Sequence, residues 1–90
     1  MPSWTFLTNH GHARVCIAQN PEVRLAEMAQ RIGIGERAVH RIVHDLIEAG
    51  YASVTKVGRR NRYELHWDRS LRHPLEASHR LGEIFEPLSR

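Results

Sequence analysis

MAQRIGIGERAVHRIVHDLIEAGY, residues 28–51, is the stretch on which the fold turns. Leu25, Met28, Ala29 and Ile32 fall at i, i+3, i+4 and i+7 and give a short helix one apolar stripe. Gly33 ends that helix, because glycine takes the left-handed conformation that a sharp helix exit requires. A second helix is predicted over Glu36–Ala49, with Val39, Ile42, Val43, Leu46 and Ile47 as its buried stripe, and Gly50 closes it in the same way. Ala29 is small where the two helices would cross most closely. Ile34, Val39 and Ile42 would lock the second onto the first.

Upstream, a helix is predicted over Asn9–Gln19, with Thr8 as N-cap and Pro21 as stop; Ala13, Cys16, Ile17 and Asn20 share a face, and Gly11 weakens the start. Val23 to Leu25 reads as an extended link that could hold a one-residue strand. Downstream, Tyr51–Val57 is rich in β-branched residues, and from Arg62 to Trp67 the residues Tyr63, Leu65 and Trp67 alternate with Arg62, Glu64 and His66. Gly58-Arg59-Arg60-Asn61 would join the two strands as a loop, with Asn61 a turn residue. Asp68 to His73 is a polar connector. Pro74 fits the first position of a last helix carrying Ala77, Leu81, Ile84, Phe85 and Leu88 on one stripe, ending near Glu86 ahead of Pro87. The fold class expected is mainly α with a small β-hairpin (α+β). It comprises one domain over 1–90: a three-helix core and hairpin at 9–65, then a C-terminal helical unit at 74–88.

Ninety residues support one small core, since a chain this short hides only about two-thirds of its unfolded surface. The hydrophobic fraction, 41%, suits a globular fold rather than a disordered one. The formal net charge of +3 matters less than its placement. Lys56, Arg59, Arg60 and Arg62 crowd the hairpin with no acid among residues 56–62. Cys16 is the single cysteine, so no intramolecular disulfide and no CxxC metal pair exist, and a small buried hydrophobe is expected there rather than a redox sensor. The N-terminal residues lack a signal-peptide pattern and no window is apolar over a membrane-spanning length, so a cytoplasmic protein without a membrane partner is expected.

The second long helix turns Arg37, His40, Arg41, His44 and Asp45 outward. Arginine can fork onto the acceptors of guanine, a pairing worth about 1–3 kcal/mol of discrimination. Ala38 suits a thymine methyl. Glu36 suits the positive helix start and could accept from a cytosine amine. Arg59, Arg60 and Arg62 suit the negative potential of a minor groove or the phosphate backbone. Double-stranded DNA is therefore the expected partner, with helix 36–49 in the major groove and the basic hairpin 58–62 on the minor groove or backbone.

Ala29, Gly33, Val39 and Ile42, with Met28 and Ile32 apolar, resemble the helix-turn-helix signature of bacterial repressors. The run IGERAVHRIVHDLIEAGY…VGRRNRYEL and the element order resemble winged-helix transcriptional regulators of the MarR and ArsR type, over about Thr8 to Leu65. The resemblance implies base reading by Glu36, Arg37, Ala38, His40 and Arg41, and DNA contact by Arg59, Arg60 and Arg62. It also implies a homodimer joined through terminal helices, here by Leu81, Ile84, Phe85 and Leu88. The chain departs from the larger MarR proteins in leaving little room for a ligand cleft, and it lacks the ArsR cysteine pair. His66, Asp68, His79 and Glu83 only loosely resemble an ArsR zinc site, and a metal shared by His40 and His44 would occupy the outward face. No metal and no cofactor are expected, and any small-molecule effector is left open. The alternatives are a winged helix used for protein contacts and a metal- or ligand-responsive ArsR-like sensor. No nucleophile–base pair, carboxylate pair or phosphate loop is visible, so an enzyme is not expected.

Overall fold

The structure, a computed structural model, describes residues 2–89. The order is α1 (Asn9–Gln19), α2 (Leu25–Ile32), α3 (Glu36–Glu48), β1 (Ala52–Val57), β2 (Arg60–Leu65) and α4 (Leu81–Leu88). The first three helices enclose the core. Ala13 and Ile17 from α1, Met28 and Ala29 from α2, and Val39, Ile42, Val43 and Leu46 from α3 are buried together with Val23, Ala52 and Tyr63. Both predicted stripes thus face inward.

The helix ends follow from two glycines. Gly33 has φ +88°, and the amides of Gly33 and Ile34 both donate to the carbonyl of Ala29, at 2.8 and 3.0 Å. Gly50 has φ +82°; its amide donates to Ile47 and that of Tyr51 to Leu46, which is the Schellman pattern. Ala49 is therefore the cap of α3 rather than its last residue.

Thr8 occupies the N-cap position of α1, but its side chain makes no capping hydrogen bond. Gly11 has a packing reason to be there: a Cβ would lie 3.0 Å from Cβ of Leu7, which packs over the first turn. Asn20 is exposed at the end of α1 instead of sharing its buried face. The link before α2 forms no strand. One bond does the fastening, from the Tyr63 amide to the Pro21 carbonyl at 2.8 Å.

The hairpin is tighter than its sequence suggested. β1 and β2 pair antiparallel from Ala52↔Leu65 to Val57↔Arg60, so only Gly58 and Arg59 form the turn. Gly58 has φ +64° and, among the described residues, no non-glycine has positive φ, as a II′-type turn requires. Arg60 and Asn61 therefore belong to β2, and Asn61 pairs with Lys56 instead of serving the turn. Trp67 lies beyond β2; its carbonyl accepts from the Gly82 amide.

The last helix starts seven residues later than Pro74. Residues 74–78 form turns, because Glu76 and His79 donate to carbonyls three residues back while Leu71 donates to His79. A bridge between Ser70 and Arg80 then draws the chain into extended form just before α4. Ala77 is consequently off the helix. Pro87 lies inside α4 instead of ending it at Glu86. Leu81 and Phe85 are buried, whereas Ile84 and Leu88 are exposed, which divides the predicted stripe between two surroundings. No helix among the described residues is long and apolar enough to cross a membrane. Burial pushes the Cys16 thiol up, which holds it protonated as the small core residue expected.

Candidate nucleic-acid interface

α3 begins after Gly35, whose extended backbone places no side chain over the helix start. The amide of Val39 donates to the Gly35 carbonyl. The buried stripe of α3 fixes its rotation, so Glu36, Arg37, Ala38, His40, Arg41 and His44 are all exposed. Two neighbours limit the reach of this face at its C-terminal end. His44 Nδ1 lies 3.4 Å from Glu48 Oε2, one turn along. Asp45 Oδ2 lies 2.8 Å from Nε2 of His10 on α1. That hydrogen bond holds the Asp45 carboxyl below its usual range, with His10, His44 and Arg41 adding favourable charge. Arg37, Ala38, His40 and Arg41 thus form the open, cation-rich N-terminal half of the helix.

The hairpin supplies the second surface. Arg59 is at the turn, Arg60 faces Val57, and Arg62 faces Thr55 halfway down β2; all three are exposed. Since pairing partners share a face, Arg60 and Arg62 lie on the face opposite to Tyr63, whereas Lys56 and Asn61 continue the Tyr63 face. A groove of about 720 Å³ runs between the hairpin and the start of α2, lined by Arg24, Glu36, Arg59, Arg60 and Asn61 among others. The structure therefore brings the first residue of α3 together with the hairpin tip. It leaves Arg62 outside that groove, on a separate hollow with Ser53 and Glu64.

Arg24 was not singled out from the sequence. It is exposed at the N-cap of α2, where a cation opposes the helix dipole and gives no local stabilisation. That mismatch is the signal that could have drawn notice to it.

The fold is a winged helix. Residues 16–55 of this winged helix, from α1 through most of β1, match the model of the IclR helix-turn-helix domain. Among solved structures it is similar to the zinc-dependent MarR-family transcriptional regulator AdcR in its Zn(II)-bound state, with a TM-score of 0.52 and 22% identity. The likeness covers 72% of this chain and 47% of that one, so this chain corresponds to about half of that protein. No curated protein sequence matches the chain significantly. A helix-turn-helix match lying on a winged-helix fold supports a DNA-binding domain.

The histidines do not gather. His66 Nε2 lies 2.9 Å from Ser53 Oγ, while His79 Nδ1 lies 2.7 Å from Glu83 Oε2. Among the described residues no group of three or more His, Cys, Asp or Glu is placed to hold a metal ion.

Proposed function

We propose that this winged helix is a sequence-specific regulator that binds double-stranded DNA as a homodimer. The observation that carries the reading is that the first residue of α3, Glu36, lines one groove with Arg24, Arg59 and Arg60, while the exposed cations of α3 follow directly along the helix. The open half of α3 (Arg37, Ala38, His40, Arg41, with Glu36 at its start) adjoins the groove bordered by Arg59 and Arg60. α3 enters the major groove with its N-terminal half first, and the wing tip lies on the adjacent minor groove or backbone. His44 stands one turn further along and touches the edge of the footprint. Arg62, away from the groove, acts on flanking phosphates. Arg24 adds a cation beside the wing.

The dimer contact uses Ile84 and Leu88, which are exposed on α4, together with the exposed Trp4 and Phe6. Leu81 and Phe85 support the contact from beneath. Two α3 helices then face half-sites about one helical turn apart, on a near-palindromic operator.

Selection of bound duplexes from a random pool, repeated across salt concentrations, tests the reading. The expected result is a two-fold symmetric consensus with affinity that falls steeply with salt. Absence of salt-dependent duplex binding would leave a winged helix that contacts proteins only.

A further inference from the structure

Arg14 is the one charged residue in the described core, with 1% of its surface exposed. Its guanidinium carbon lies 4.5 Å from the centroid of the Trp67 ring and 4.7 Å from that of Phe85. Nη2 donates to the His66 carbonyl at 3.3 Å, but Nε and Nη1 have no hydrogen-bond partner among the described residues. Two aromatic faces stabilise a cation without accepting its protons. Buried donors left in this way are costly, and an acceptor brought to them is held strongly. Burial lowers the Arg14 pKa only to about 10, so the group remains a cation near neutral pH.

The same residue borders a cavity of about 360 Å³. Leu7, Leu46, Leu71, Leu81 and Ile84 make its walls largely aliphatic, and the His10–Asp45 pair stands on its lining. The volume lies within the range of small-molecule sites. One wall can yield. α4 is tied to the preceding chain by Leu81 and Gly82 amides donating to Arg69 and Trp67 carbonyls, and it rests on the core through Leu81 and Phe85. Arg14 and Phe85 both line the cavity, so a ligand that reaches Nε and Nη1 must displace the edge of the Phe85 ring.

We propose that this cavity binds a short aliphatic monocarboxylate, whose oxygens accept from the free donors of Arg14 while its chain lies against Leu46, Leu71 and Ile84. A neutral ligand of the same shape would fill the walls but offer those donors only an uncharged acceptor, which is held less strongly. Asp45, Leu46 and Ala49 of α3 also border the cavity, so the ligand touches the helix that carries the outward basic face. Any effect on DNA rests on the reading of α3 given above; the binding itself does not.

The test uses the full chain without DNA, titrated with hexanoate and with hexanamide while ¹H–¹⁵N spectra are recorded, including the Arg14 Nε–H signal. Saturable shifts at Arg14 and Ala49 are expected with hexanoate, and binding of the amide should be weaker by about tenfold or more, the scale of a hydrogen bond to a charged group. Arg14→Gln should abolish the preference for the acid. Should that variant fail to fold, Leu71→Trp, altered on a half-buried loop residue, fills the cavity from its edge and should abolish binding with the helical spectrum unchanged. No saturable shift with hexanoate, equal binding of the amide, or shifts confined to surfaces away from Arg14 would each overturn the proposal. Loss of DNA binding in a separate assay would leave this result standing, so the two readings fail independently.

Discussion

Nε2 of His10, on α1, lies 2.8 Å from Oδ2 of Asp45, on α3, and this is the ion-pairing contact that joins those helices at the surface. The hydrogen bond holds the Asp45 carboxyl below its ordinary value of 3.8. A carboxylate whose pKa is depressed by folding stabilises the folded chain above the ordinary value, and that contribution is lost as pH falls through the lowered one. The same sign applies to Glu83, which accepts first from His79 and then from the Arg80 amide. Asp45→Asn should therefore lower the thermal midpoint slightly at neutral pH and flatten the acid limb of the stability curve. The two proteins should converge once the pH has fallen through the lowered Asp45 value, where both side chains are neutral. Thermal melts from pH 7 down to pH 2 measure this; parallel curves at every pH would refute the assignment.

The division of the α4 stripe gives a second prediction. Phe85 is 6% exposed and stacks on Arg14, whereas Ile84 is 39% exposed and Leu88 43%. Phe85→Ala removes a buried ring and one face of the cation's stack, and should cost about 3–5 kcal/mol of folding stability. It should also change Trp67 fluorescence, because the Trp67 ring packs on the same guanidinium. Ile84→Glu with Leu88→Glu should instead leave the monomer's fold intact and shift the mass in solution from dimer to monomer. Denaturant unfolding and light scattering separate the two effects. A dimer that survives the double glutamate variant would place the contact elsewhere.

Two glycines outside the core should differ in cost. Gly58 and Gly50 both have positive φ, so a side chain is strained at either. At Gly58 a Cβ would meet nothing within 4 Å, whereas at Gly50 it would lie 3.0 Å from Nη2 of Arg69. Gly58→Ala should thus cost only the strain and leave the α3 cap untouched. Gly50→Ala should cost more, since it also displaces the Arg69 side chain and disturbs the close of α3. Chemical denaturation of the two variants tests the ranking, which a larger loss for Gly58→Ala would reverse.

The helices that frame the candidate interface were legible because their buried residues repeat at the helical period and two glycines mark their exits. α1 and α2 begin and end where those signals place them, and α3 differs by one residue. The hairpin register was not legible. GRRN can close as a four-residue loop or as a two-residue turn, and the choice rests on Gly58 taking positive φ and on strand twist, neither of which leaves a composition signal. Hence Arg60 and Asn61 moved from loop to strand. α4 was misplaced at its start because Pro74 favours a helix beginning locally, whereas the Ser70–Arg80 bridge, a pairing across ten residues, decides otherwise. Arg14 escaped notice for the same reason: a charged residue on a helix reads as solvated until Trp67 and Phe85 close over it.

The sharpest test of the interface separates its two basic surfaces. Arg41 stands on the open face of α3, exposed beside a helix whose rotation is fixed by Val39, Ile42 and Val43. With the helix rotation so fixed, Arg41 projects from one place on the open face, so Arg41→Ala should change sequence preference at one position of each half-site, by about 1–3 kcal/mol there. Arg59 and Arg60 sit at the end of a two-stranded hairpin, where they meet phosphates or the minor groove without a fixed base partner. Arg59→Ala with Arg60→Ala should weaken binding to all sequences alike and lower the salt slope by about 2 per subunit. The ladder from Ala52 to Val57 should remain intact in both variants, as circular dichroism can verify, since none of these side chains is buried. Fluorescence anisotropy on matched and single-mismatch duplexes, at several salt concentrations, resolves the two signatures. If Arg41→Ala changes only the salt slope and the wing variant changes only preference, the roles of helix and wing are exchanged.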